Sequence, residues 1–366
     1  MKSYLNIIWG FVWVGTEACV LSGCTTPKPS SAEHTAGPSP TVSTHEDPSR
    51  GSAPDARPTD ATLADVTLPT APPVAPSSAL PSGNSTTAQA PKRDAIHCPP
   101  QANAEAGQTC GELHCLAFST ESAAFEHILS LEPQVLGIGE SHAPRGMEQV
   151  HSATRRFGEL LLPSLCGRTK AIILELWLPR NDCGDKRVEQ VKKAQEPVTQ
   201  AQAKSNQDEY VTLGHVAKRL GIFPSALVPS CDEYQSILDA GPDSIERMLE
   251  LVGKRSGERV LEELHKSNAP EAGPVVIAYG GALHNDAEPD REHEHYSYGP
   301  ALLAATQGKY IELDLIVPEF VKDTEIWKRQ PWYTAFKGRD VTKTQLYQWA
   351  PHSFALVFPK SSRPAK

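Results

Sequence analysis

Apolar residues fall into short runs separated by stretches with helical spacing, an alternation that predicts strands and helices in turn. Val135, Leu136 and Ile138 form a strand that ends in Gly139-Glu140-Ser141-His142. A helix pattern precedes it over about Ser119 to Leu131, with Phe125, Ile128 and Leu129 inward. A second follows to Leu162, with Met147, Val150, Phe157, Leu160 and Leu161 on one face. Ala171 to Trp177 is apolar on both faces, as in a buried parallel strand, and its one charge is Glu175. A polar helical insertion, about Lys186 to Lys204, reads as a candidate lid. A firmer helix covers Asp208 to Leu220, and Ser225 to Pro229 is a third strand leading into Cys231-Asp232-Glu233. Asp243 and Glu246 have the spacing of a capping box for the next helix, and another helix spans about Glu258 to Lys266. Pro274 to Tyr279 is the fourth strand and runs into Gly280-Gly281-Ala282-Leu283-His284. After a helix near Pro300 to Thr306, Tyr310 to Ile316 alternates Ile311, Leu313 and Leu315 with Glu312 and Asp314, the pattern of a strand with one wet face near a sheet edge. A final strand is Phe354 to Phe358. The expected architecture is an α/β three-layer sandwich with a mostly parallel central sheet.

The beginning of the chain has a different composition. Residues 1–24 hold Lys2, an apolar core from Tyr4 to Val14, and Leu21-Ser22-Gly23-Cys24, the pattern of a bacterial secretion signal ending in a lipobox. The alternative, a transmembrane anchor, is disfavoured because the apolar stretch is short and carries Glu17, whereas a spanning helix needs about 20 apolar residues. Cys24 is therefore expected to carry lipid and anchor the protein in the bacterial cell envelope. Thr25 beside it resembles an outer-membrane sorting signal. Residues 25–95 lack Phe, Trp, Tyr, Ile and Met and are rich in Pro, Ser, Thr and Ala, so they are expected to form a disordered tether. Residues 96–366 remain for the folded part.

The formal net charge is −9 with no basic stripe, which argues against nucleic acid as a partner. Six cysteines remain beyond the signal: Cys98, Cys110, Cys115, Cys166, Cys183 and Cys231. An even number in an exported chain implies disulfides. Cys166 and Cys183 bracket the second strand and are expected to pair, and Cys231 is expected to join one of the three amino-terminal cysteines.

If the sheet is largely parallel, one edge collects Glu140, His142, Glu175, Asp232 and His284, where open α/β sheets build their sites. Two imidazoles with a carboxylate suit a catalytic divalent transition metal that keeps a position open for water. Without metal, the same groups serve as general base and acid. Gly-x-x-His alone is weak evidence, since 25 glycines and 13 histidines in 366 residues give about one match by chance. Gly111-Glu112-Leu113-His114 follows no strand and reads as the accident. Each residue also has a structural reading: His142 as a helix cap, His284 as a satisfied core imidazole, Glu175 as the partner of a buried arginine, Asp232 as a cap, Arg145 as a solvated cation. The loop Asp286 to Tyr298, with His293 and His295, reads as a charged surface loop, with a secondary metal or haem contact as the alternative.

The strand ending in Gly139-Glu140-x-His142, the Glu175 of the next strand and the later Gly281-x-x-His284 resemble the superfamily of Tiki and TraB proteins, ChaN haem-binding lipoproteins and erythromycin esterases. The resemblance covers roughly Phe118 to Ile316. By that resemblance, His142, Glu175 and His284 would hold a metal or activate water on a peptide or small-molecule substrate, with Glu140 orienting His142. The ChaN branch instead implies haem in an apolar slot at the same edge, held by a His, with His142 and His284 the candidates, or by a Tyr. A non-catalytic tethered scaffold is the third possibility.

Overall fold

The computed structural model describes residues 98–100, 105–180, 182–266, 275–339 and 341–361. The signal peptide, Cys24 and the linker lie outside the described residues.

Strands β1 (Gln108–Thr109) and β2 (Leu116–Phe118) precede helix α1 (Glu121–Leu129), strand β3 (Val135–Glu140), the short helix α2 (Ala153–Arg156) and β4 (Thr169–Trp177). Helices α3 (Asp185–Thr199) and α4 (Asn206–Arg219) lead to β5 (Phe223–Leu227). Helix α5 (Cys231–Asp239), the long α6 (Ser244–His265) and β6 (Val275–Gly281) come next. Helix α7 (Gly299–Ala305) and β7 (Tyr310–Ile316) follow. The chain then passes through α8 (Glu325–Lys328), α9 (Tyr333–Phe336), β8 (Thr344–Ala350) and β9 (Ser353–Val357).

The strands form one nine-stranded sheet in the order β1-β2-β8-β9-β7-β3-β6-β4-β5. From β9 to β5 every neighbouring pair is parallel, and β1, β2 and β8 add an antiparallel flank. Parallel strands are buried on both faces, which is why they are apolar at successive positions. Leu136, Ile138, Ile172, Leu174 and Ile277 pack on one face with Phe125 of α1 and Leu213 and Ala217 of α4. Val135, Ala171, Ile173, Val276 and Ala278 pack on the other with Val252 and Val260 of α6 and Leu302 of α7. Helices thus cover both faces, giving the expected three layers. The Trp- and Tyr-rich tail builds a separate cluster around Trp327, Trp332 and Tyr347.

Four expectations need correction. The helix after β3 begins only at Ala153, where the Ser152 side chain accepts from the Arg155 N–H. The intervening loop instead uses its backbone to bind another segment: Arg145 N–H donates to Ala201 O, and Ala203 N–H to Ala143 O. Phe157–Leu161 then forms a π-helical turn, which rotates Leu160 to 37% exposure while Phe157 and Leu161 stay buried. Strand β7 is not near an edge. It lies between β9 and β3 and is buried at all seven positions, Glu312 and Asp314 included. The helices expected from Asp243 and from Glu258 are one 22-residue helix. Gly253, which looks like a break, faces the Tyr296 carbonyl so closely that no Cβ would fit. Asp243 makes no side-chain cap, and the capping box forms instead between Ser230 and Glu233.

The disulfides are the fourth correction. They join Cys98 to Cys166, Cys110 to Cys115, and Cys183 to Cys231. Cys166 and Cys183 flank β4, whose nine residues span about 30 Å at 3.3 Å each. A disulfide needs Cα atoms within about 7 Å. Three disulfides suit an oxidising compartment outside the cytoplasm. Among the described residues, no helix is long and apolar enough to cross a membrane.

Candidate active site

Glu140 is the last residue of β3 and is 1% exposed. A buried carboxylate needs donors to offset its lost hydration, and Glu140 has four. Oε1 accepts from His142 Nδ1 at 2.8 Å and from the Tyr210 hydroxyl at 3.0 Å. Oε2 accepts from the Thr154 hydroxyl at 2.7 Å and the Tyr279 hydroxyl at 3.2 Å. Thr154 comes from α2, Tyr210 from α4 and Tyr279 from β6, so three elements converge on one side chain. Burial alone would raise the Glu140 pKa. The hydrogen bond and charge of His142, with the Thr154 and Tyr210 hydroxyls, outweigh it and bring the value below the ordinary one. Burial would lower the pKa of His142, but its bond to Glu140, the Glu140 charge and that of Glu175 raise it. Burial holds both phenols well above their usual pKa, so each remains a donor.

This geometry fixes the tautomer of His142. Nδ1 donates to Glu140, so Nε2 carries the lone pair. The ring keeps 15% side-chain exposure and lines a cavity of about 480 Å³ together with Glu175 and Tyr210. The cavity is bordered by α3 through Val188, Val191, Gln195 and Val198, and by Trp177, Tyr234 and Met248.

Glu175 and His284 form a second pair. Glu175 Oε2 accepts from the Gly281 N–H at 2.7 Å. Gly280 is required beside it, since a Cβ there would collide with the same oxygen. His284 is 3% exposed. Its Nδ1 donates to the Tyr296 carbonyl at 2.9 Å, and Nε2 points to Glu175 Oε1 at 3.8 Å. The two histidines therefore share one design: Nδ1 is tied to an acceptor, which leaves Nε2 for other chemistry, as in catalytic and metal-ligating imidazoles alike.

A three-ligand metal shell requires its donor atoms to converge. Among the described residues, the one set of three ligand-type groups that gathers within 4.8 Å is Asp182, Cys183 and Cys231, and its two cysteines are disulfide-bonded to each other. His142, Glu175 and His284 do not gather that closely and, as placed, do not fit such a shell.

The remaining candidates stand apart. Asp232 is exposed in the first turn of α5, and Arg145 is an exposed loop residue. His293 pairs with Asp290 at 2.8 Å. The charged loop that holds it contributes instead through the Tyr296 carbonyl, which orients His284. Thr154, Tyr210 and Tyr279 were not anticipated. Tyr210 and Tyr279 look like ordinary core aromatics in the sequence, and only their convergence on Glu140 distinguishes them.

No family model and no curated protein matches the chain. Similar solved structures include the type III effector HopBA1, with a TM-score of 0.35 at 10% identity over 66% of this chain and 94% of that one. An erythromycin esterase, EreC, in its open conformation gives 0.34 at 9% identity, again over 66% and 94%. A protein from Bacillus cereus gives 0.31 at 8% identity over 66% and 93%. At this level the likeness transfers neither a family nor an activity.

Proposed function

We propose that the protein is a hydrolase that activates water for attack on an acyl bond, an ester or amide, in the cavity bordered by α3. The observation that supports this most is the buried Glu140 holding His142 by Nδ1, with the His142 ring lining the cavity. In this reading His142 Nε2 takes a proton from water as the oxygen attacks the carbonyl carbon. Glu140 stabilises the imidazolium that forms, and Glu175 adds to that field. The imidazolium then returns the proton to the leaving group. Glu175, which lines the cavity, supplies a second acid–base group, with His284 buried beside it.

Lipidation of Cys24 and a tether to the cell envelope belong to the same proposal, as does the outer membrane as its site. A divalent metal held by His142, Glu175 and His284 would supply Lewis acidity, but their ligand atoms would first have to move together. A haem slot at His142 or His284 is the alternative drawn from the ChaN resemblance.

The test uses the full chain with Cys24→Ser beside the same chain with His142→Ala. Chromogenic acyl esters and amides should be turned over by the first. Loss of His142 should lower kcat/KM by about 10² to 10⁴, the usual worth of a general base, with circular dichroism unchanged. Turnover that survives the substitution contradicts the reading. Stoichiometric metal that disappears in a His142→Ala/His284→Ala variant would favour the metal-assisted form. A Soret band on haemin titration that is lost in the same variant would favour haem.

A further inference from the structure

The cavity's chemistry is uneven. Its walls are largely apolar or amide, and apart from His142 and Glu175 the one charged side chain among its lining residues is Lys192. Lys192 lies in the middle of α3, on the face defined by Val188, Val191, Gln195, Val198 and Thr199, which all line the cavity. That spacing of three and four residues is one stripe of a helix.

On the same helix Glu189 lies three residues before Lys192 and Glu196 four after, both at distances suited to ion pairing. Among the described residues, Lys192 forms an ion pair with neither. Lys192 is exposed where it borders the cavity, and in a chain of net charge −9 a cation there that leaves two helical carboxylates unused has its counter-charge open to a ligand.

The location along the helix adds a direction. The C-terminal end of α3 is joined to the His142 loop, since Gln202 bridges to Pro144 and Ala203 N–H donates to Ala143 O. From Thr199, at that end, back to Lys192 is seven residues, about 10 Å at 1.5 Å per residue. A single ammonium is a point charge without the forked donors of arginine, which suits a carboxylate monoanion better than a bidentate dianion.

We propose that the substrate is an amphiphilic carboxylate: an apolar body with its hydrolysable acyl bond at His142 and a carboxylate farther along α3, selected by Lys192. This substrate class rests on the hydrolase reading above. The pocket's preference for an anion, in contrast, is measurable without turnover.

The experiment titrates the full chain (Cys24→Ser) with dansylaminoundecanoic acid and with its uncharged methyl ester, below their aggregation concentrations, following dansyl fluorescence. Lys192→Gln is measured in parallel. The wild-type chain should bind the acid about tenfold more tightly, equivalent to about 1.4 kcal/mol. Lys192→Gln should bind both equally, with methyl-ester affinity unchanged. Equal binding of the two forms by wild type, no binding of either, or a preference that survives Lys192→Gln overturns the proposal. A second arm compares hydrolysis of the nitrophenyl monoester of a medium-chain dicarboxylic acid with that of the corresponding monocarboxylic ester. If the anion preference depends on Lys192 but neither ester is hydrolysed, the Lys192 pocket stands and the hydrolase reading falls. If both are hydrolysed at equal kcat/KM with no binding preference, the hydrolase reading stands and the role of Lys192 falls.

Discussion

Glu140 and Asp314 lie one register position apart on neighbouring strands, Gly139 pairing with Asp314 and Glu140 with Leu315, and so face opposite sides of the sheet. Both are buried, at 1% and 4% exposure, yet their electrostatics diverge. Glu140 collects an imidazole and three hydroxyls and its pKa falls. Asp314 has the Asn285 amide at 3.1 Å, and burial pushes its pKa up to about 7. Its neighbour on the same face, Glu312, is also pushed well up by burial and by the charges of Asp314 and Asp286. Burial therefore does not mark a reactive carboxylate. The number and charge of the donors decide whether it stays ionised at neutral pH.

The two regions depend on pH in opposite senses. Glu140 has a lowered folded pKa, so its contribution to stability is present above its unfolded value near 4.5 and is lost as pH falls through the folded value. Asp314 is the reverse. The folded chain keeps its proton between 3.8 and about 7, where the unfolded chain has already released it. Stability from that proton is complete below 3.8 and lost as pH rises through about 7.

Removing each carboxylate should separate the two regions. Glu140→Leu leaves His142, Thr154, Tyr210 and Tyr279 without their acceptor and should cost about 3–5 kcal/mol, the range for breaking a buried pair. The urea midpoint at pH 7 measures it, and a change under 1 kcal/mol would contradict the donor count. Asp314→Asn retains an acceptor for Asn285 but no longer titrates. It should flatten the fall in stability between pH 4 and 7 and gain about 1–3 kcal/mol at pH 8 relative to wild type. Unfolding curves at several pH values report this, and parallel profiles for the two proteins would count against it. Tyr210→Phe removes one donor from Oε1 and leaves three on Glu140. It should cost about 1 kcal/mol, and kcat should fall less than for His142→Ala.

The sequence exposed the parts of this arrangement that depend on apolar runs and strand ends. Strands β3, β4, β6 and β7 and the placement of Glu140, His142, Glu175 and His284 at their carboxyl ends were legible because buried parallel strands are apolar throughout. The role of β7 was not. Glu312 alternating with Asp314 has the same spacing on a wet edge as in an interior strand, and the parallel pairing of β9 with β7 makes this strand interior. The disulfides were equally hidden, because connectivity depends on which loops meet after folding. Glu140's donors were hidden for a related reason: Thr154 and Tyr210 lie 14 and 70 residues beyond it, and Tyr279 lies 139 beyond it.

The central claim is that the Glu140 carboxylate raises the proton affinity of the His142 imidazole and so readies it to take a proton. The direct measurement is an NMR titration of the His142 imidazole in wild type and in Glu140→Gln. The wild-type pKa should lie above the ordinary 6.5 and fall in the variant, whose neutral amide keeps the shape but not the charge. A wild-type value at or below 6.5, unchanged by Glu140→Gln, would contradict it.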